Sequence, residues 1–324
     1  MASAKWEDTL AFLKSVVAAC AVSAAAFAAQ AQTYAVGSNP QGSLAYAVGS
    51  AVSKAGIEHA DLQMRVVPQG GPNVVIPLVN IGELDFSIAN GAVASEAFDG
   101  RGSFSSAQGE VRVAAVLFDL VSGFMVRADS DIMTIADLKG KRIASEFLKQ
   151  KTVHKNASAV MGLYGLSYDD VTGVPVPNGV RGVEDFETGN VDATFFSLTS
   201  GRTKQAAAAV DGGIRILPID DTDANDAALG AAVPGAWIST LKPAKSLPGI
   251  EMEQGVFTTP FVILTSTNVS DDVVYNLVKA LHGNKDALVA SAGAFKRFDP
   301  ANMSTDIGVP FHAGAAKFYE EMGM

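Results

Sequence analysis

Apolar positions along the chain change period several times, and each change predicts an element. Alternation at Leu62, Met64 and Val66 predicts a strand, helical spacing at Val74, Val75, Leu78 and Ile81 predicts a helix over 72–83, and the run 84-LDFSIAN-90 predicts a second strand. A long apolar stretch, 111–129, follows. Beyond it the pattern reads helix (134–140), strand (141–146), helix (about 154–165), strand (172–177), helix (179–189), strand (191–197), helix (about 201–211) and strand (213–219). Steady exchange of strand and helix implies an α/β fold of mostly parallel sheets covered on both faces.

No short repeat and no low-complexity linker separates the two strand-turn-helix series. That pattern predicts two lobes whose chain crosses between them more than once. The expected crossings are 120–127 and 259–265, both apolar and β-rich, and the helical pattern at 271–291 is expected to return to the first lobe. Lobe 1 is then 32–122 plus 262–324, and lobe 2 is 123–261.

Residues 1–31 are set apart. Lys5 and Lys14 precede the uncharged run 15-SVVAACAVSAAAFA-28 and the small-x-small pattern Ala29-Gln30-Ala31, which together read as a secretory signal peptide, too short an apolar run to span a bilayer. The mature chain is expected to be periplasmic and to start near Gln32. The one cysteine, Cys20, follows Val17-Ala18-Ala19 and leaves lipid anchoring as a minor alternative. Cleavage after Ala31 removes that cysteine and, with it, disulfide and thiol chemistry.

With 324 residues, 48% hydrophobic and 18% charged, the chain can build a large core. A formal net charge of −10 without a basic run argues against nucleic acid or an anionic membrane as partner, though not against a small anion that responds to a local field.

Between the first strand and a helix beginning near Gly42 lies 37-GSNPQGS-43. Gly37 and Gly42 have the spacing of a nucleotide P-loop, but Ser43 and Leu44 stand where Lys and Ser/Thr are required, and the Rossmann glycine spacing is absent too. Two readings remain: a βα turn with a helix cap, or a ligand cradle. The cradle would use Ser38, Asn39, Gln41, Gly42 and Ser43 with free N–H groups at a strand's carboxyl end, where open α/β sheets place ligands. Tyr46, one turn on, faces the ligand or packs. Asn90-Gly91, at the end of another strand, admits the same pair of readings.

Other chemistry is sparse. Histidines 59, 154, 282 and 312 lack ligand spacing, 220-DDTDAND-226 lacks the central Gly and terminal Glu of a calcium loop and reads as a solvated turn, and no G-x-S-x-G elbow or Ser/His/Asp set is present. The reading is therefore no metal, no cofactor and no enzyme. Positive charge in the second half comes from 149-KQKTVHK-155 and from Arg181, in the first turn of a predicted helix. There a cation opposes the helix dipole; it pairs a ligand carboxylate, or else Glu184 or Asp185.

The ordered set 37-GSNPQGSLAYAVG-49, 82-GELDFSIAN-90, 137-DLKGKRIA-144, 163-LYGLSYDDV-171, 189-GNVDATFF-196, 247-LPGI-250 and 310-PFHAGAAKFYEEMG-323 resembles the TAXI-type solute receptors of TRAP transporters across essentially the whole mature chain. The resemblance implies a two-lobed periplasmic-binding-protein fold of the second type. It also implies a receptor that closes on a small organic solute and delivers it to TRAP membrane permease subunits; the helix N-termini and Arg181 favour an organic acid or amino acid as that solute, and a monomer is expected. It places the Gly-rich turn at Gly37–Gly42, an aromatic at Tyr46 and a polar strand-end residue at Asn90. Where that family has a Gly/Ser-rich turn, this chain carries 145-SEFLKQKTVHKNAS-158, a bulkier wall. The expected clamp sets Ser38–Ser43, Tyr46, Asn90 and Gly91 against Glu146, Lys149, Thr152, Asn178, Arg181, Phe195, Phe196 and Ser197. Rival readings are a ligand-sensing partner of a membrane sensor kinase, and a secreted enzyme on the same frame.

Overall fold

A computed structural model describes residues 32–324. The signal-peptide reading of residues 1–31, with Cys20, lies outside the described residues.

The first strand, β1 (Thr33–Ser38), turns into α1 (Leu44–Ala60), whose buried Leu44, Val48, Ala51, Val52 and Ala55 form one helical stripe. Then come β2 (Gln63–Pro68), α2 (Pro72–Asn80), β3 (Phe86–Asn90), α3 (Gly91–Asp99) and the long β4 (Val111–Arg127). The middle of the chain adds β5 (Arg142–Ser145), α4 (Lys151–Gly162), β6 (Thr172–Pro175), α5 (Gly179–Glu187), β7 (Ala193–Ser197), α6 (Gly201–Ala209), β8 (Ile214–Ile216), α7 (Asp223–Ala232) and β9 (Trp237–Leu241). The chain closes with the long β10 (Gln254–Ser266), α8 (Asp271–Gly283), α9 (Lys285–Ser291) and α10 (Ala313–Met322).

The strands join in the order β2-β1-β3-β10-β4-β7-β5-β6, with β8 on β4 and β9 on β10. What divides the sheet is a change of partner along its two longest strands. Residues 259–266 of β10 pair with 111–120 of β4, and 261–265 also pair with β3; residues 254–258 pair with β9 instead. Likewise β4 pairs with β7 from Ser122 to Val126 and with β8 from Met125 to Arg127. Two antiparallel strands therefore carry the chain across and back.

The expected parallel pairs stand on either side of the two crossing strands. β1–β3, β5–β6 and β5–β7 are parallel, but β4 and β10 run antiparallel because one leaves the first half and the other returns to it. The result is a mixed sheet with a core on each face of each half. Adjacent strand residues point to opposite faces: Ile88 joins the core under α1, α8 and α10 while Ala89 joins the one under α2 and α3. In the other half Phe195 joins the α4 core and Phe196 the core under α5 and α6.

Three elements differ from their sequence reading. The helix expected at 134–140 is a single 3-10 turn, Ala136–Leu138, because the Asp137 carboxylate accepts from the N–H groups of Met133 (3.0 Å) and Thr134 (2.8 Å) and ties the segment into a turn. The helical pattern at 271–291 breaks at Asn284. The acidic run 220–226 is only half a turn: Thr222 caps α7, Asp223 and Asp226 favour its N-terminal dipole, and Asp226 accepts from the Ile238 N–H at 2.7 Å. Among the described residues no helix is long and apolar enough to cross a membrane.

Candidate ligand-binding cavity where the sheet changes partners

Where β4 and β10 exchange partners, a cavity of about 60 Å3 is lined from both halves of the sheet. Its floor is apolar: Ile88, Leu120, Phe195, Phe196 and Phe261. Its rim is built from helix starts. Ser43, Leu44 and Ala45 open α1, Asn90 caps α3, and Gln150, Thr152 and Val153 open α4.

Each start is fixed by local chemistry. The Ser43 hydroxyl accepts from the Tyr46 N–H at 3.2 Å, and the Asn90 Oδ1 from the Val93 N–H at 2.8 Å. Both caps satisfy one orphan amide of their own helix. They leave the N–H groups of Leu44 and Ala45, and of Gly91 and Ala92, with no acceptor among the described residues, as at the start of any helix. A helix N-terminus carries about half a positive charge. With Pro72 at the start of α2, four of them meet at a cavity that no charged side chain lines among the described residues.

The walls hold further unsatisfied groups. Asn39 Oδ1, Thr152 Oγ1, Asn156 Oδ1 and Ser197 Oγ are buried without a hydrogen-bond partner. All four residues line the cavity. A buried polar atom without a partner costs about 1–3 kcal/mol, so these four groups leave polar capacity at the cavity wall unused.

Direct contacts hold the two sides together. The Lys149 carbonyl crowds Gly71, the Lys151 N–H donates to Asn73 Oδ1 at 3.1 Å, the Arg202 N–H donates to the Gly42 carbonyl at 3.1 Å, and Lys155 pairs with the buried Glu96. The loop before α4 is strained: Glu146 and Phe147 have φ of 63° and 45°, in the left-handed region. Phe147 is fully buried, and the Glu146 N–H donates to His154 Nδ1 at 3.2 Å; the His154 ring stacks on Tyr168 at 4.2 Å. Burial holds the His154 pKa below its ordinary value, against the pull of Glu146.

The structure brings Asn39, Ser43 and Asn90 together with Thr152, Phe195, Phe196 and Ser197. Other sequence candidates lie elsewhere. Ser38 is buried and donates to the Asn39 carbonyl at 3.0 Å, Gln41 is exposed, Gly42 (φ 89°) touches Arg202, and Tyr46 borders a shallow depression with Arg65. Gly91 packs under Pro260, Glu146 and Lys149 are exposed, and Asn178 caps α5 through the Arg181 N–H at 3.0 Å. Arg181 pairs with Asp185 at 2.8 Å and Glu184 at 3.3 Å, the second of its two readings. The sequence reading did not include Gln150, whose Oε1 accepts from the Gly179 N–H at 3.0 Å, nor Ser122 and Asn156. Thr152 and Asn156 are spaced i, i+4, a signal hidden because α4 starts at Lys151 rather than near 154.

Continuous strands, a mixed sheet with helices on both faces and a cavity at the junction define the two-lobed periplasmic-binding-protein fold. Solved structures agree on that fold. A periplasmic transporter is 14% identical, with 91% of this chain and 94% of that one covered and a TM-score of 0.57. A putative sulfonate ABC transporter's periplasmic sulfonate-binding protein, SsuA of Methylobacillus flagellatus KT, is 15% identical over 90% of this chain and 95% of its own, with a TM-score of 0.51. Residues 36–323 match the NMT1-like family, and the chain belongs to it.

Proposed function

We propose that the chain is an extracytoplasmic solute receptor that closes on a small organic carboxylate and delivers it to a TRAP-type membrane permease. The observation that carries this reading is the meeting of helix N-termini from both halves of the sheet at a cavity that, among the described residues, no charged side chain lines. An anionic head there meets backbone N–H groups and dipoles rather than a guanidinium. The orphan groups of Asn39, Thr152, Asn156 and Ser197 would meet the polar substituents of the solute.

The lobes in this account are 32–122 with 262–324, and 123–261. The hinge is the stretch of β4 and β10 where partners change, between Leu120 and Ser122 and between Thr258 and Phe261. Closure dehydrates the solute and forms the Asn73, Glu96 and Gly42 contacts in one event, so affinity and lobe motion are coupled. The narrow cavity favours a compact molecule.

A thermal-shift screen of the mature chain against oxo acids, dicarboxylates and amino acids tests this. At 100 times Kd, a ligand of the folded state adds about 2.7 kcal/mol of stability. Stabilisation by carboxylates supports the reading; stabilisation only by cations or by uncharged apolar compounds overturns it. Delivery to a TRAP permease is tested by reconstituted uptake: uptake that proceeds equally without this chain refutes that step.

A further inference from the structure

A second crevice, of about 290 Å3, lies apart from the cavity. Thr199, Lys204, Leu241, Ser246 and Leu247 form one side, and Gly293, Ala294, Lys296 and Arg297 the other. It shares no lining residue with the cavity above. Three cations border it, and among the described residues none of them has a carboxylate within 4.0 Å. In a chain whose formal net charge is −10, three such cations around one crevice make a local field of the opposite sign.

Arg297 is the telling member. Its Nη1 is buried without a hydrogen-bond partner, and Asp119 attracts it only from beyond ion-pair distance. Burial accordingly pushes its pKa down. A desolvated guanidinium with an unused donor is costly unless an anion compensates it. Thr199 and Ser246 add hydroxyl donors at the same crevice.

We propose that this crevice is a second ligand site, for a compact multivalent oxyanion held by Lys204, Lys296 and Arg297. Because 199–247 and 293–297 fall in different lobes of the receptor account, an anion seated there bridges them in the closed arrangement. By linkage, an anion that favours the closed form must tighten solute binding, and the solute must tighten the anion. The site stands on its own geometry; only this coupling rests on the receptor reading.

The test is calorimetric titration of the full mature chain with inorganic pyrophosphate, without solute, beside a parallel titration with citrate to separate phosphorus from carbon oxyanions. The comparison variant is Lys204→Gln with Lys296→Gln, both exposed and therefore compatible with folding. Saturable binding of either anion to the parent chain, at least tenfold weaker in the double variant, supports the site. No binding of either, or equal binding by the double variant, overturns it. Coupling is read by titrating a solute from the screen at saturating anion: a rise in affinity of threefold or more, absent in the double variant, is expected, and no change refutes the bridge. A chain that binds the anion but no carboxylate would refute the receptor reading alone.

Discussion

Gly71 stands where the two sides of the cavity touch, and Gly71→Ala isolates the cost of closing. A Cβ built there falls 2.3 Å from the Lys149 carbonyl oxygen and 3.0 Å from the Gln150 Cβ. Against an ordinary contact of 3.4 Å the first is about 1.1 Å too close. The oxygen cannot retreat within its own lobe, because the Lys149 N–H is held by the Pro177 carbonyl at 2.9 Å and the Gln150 N–H by the Phe147 carbonyl at 2.6 Å. Relief therefore comes from parting the two sides.

Overpacking of this kind costs about 1–3 kcal/mol. Charged to the closed form alone, it raises Kd for the solute about 5- to 150-fold. Gly71 has φ of +156°, where alanine is also strained, and that second cost falls on the first lobe whether open or closed. The melting temperature of the unliganded variant separates the two. Calorimetric Kd for a solute from the screen is the assay, with small-angle scattering to follow closure. An unchanged Kd, or a loss fully explained by a lower unliganded melting temperature, would show that the Gly71–Lys149 contact does not limit closure.

Lys155→Gln leaves the Glu96 carboxylate, 7% exposed, without its cation in the closed form. With Lys155 about a third exposed, a cost of about 1–3 kcal/mol and a matching loss of solute affinity are expected; calorimetry showing no loss counts against the lobe contact. Asn156→Leu removes a buried Oδ1 that has no partner among the described residues, so it should raise the unliganded melting temperature, by the equivalent of about 1–2 kcal/mol, while abolishing solute binding. If both quantities fall together, Asn156 is structural. Arg181→Gln should leave Kd within about twofold, since its guanidinium is paired with Asp185 and Glu184 on its own helix. A tenfold loss would return Arg181 to the site. His154 and His312 each accept an N–H bond at Nδ1, and burial holds both below the ordinary value of 6.5. The unfolded chain therefore takes up these protons first: their contribution to stability is full above pH 6.5 and is lost as pH falls through the folded values. Melting temperature should drop on acidification through that window, and His312→Asn, which can keep the cap, should flatten the slope.

The sequence was informative where function and local folding ask for the same residues. Ser43 and Asn90 are visible as caps because a helix start needs an oxygen there, and the same starts aim N–H groups at the cavity. Arg181 was ambiguous for a local reason too: its acids lie three and four residues on, which a sequence displays but cannot choose between. The wall made by α4 was largely hidden. Thr152 and Asn156 face a cavity rather than a core, so the start of that helix lacks the apolar period that marks the others. The antiparallel joining of β4 and β10 is a long-range fact, since an apolar run looks the same whichever neighbour it pairs with. Contacts such as Gly71 on Lys149 depend on how two distant turns meet.

In the proposed receptor, backbone N–H groups at the helix starts around the cavity hold an anion between the lobes. The most direct measurement is calorimetric titration of the mature chain with a carboxylate from the screen and with the corresponding primary amide, matched in size and shape. The acid should bind, and the neutral amide should bind at least a hundredfold more weakly. Equal affinity for acid and amide would contradict that arrangement.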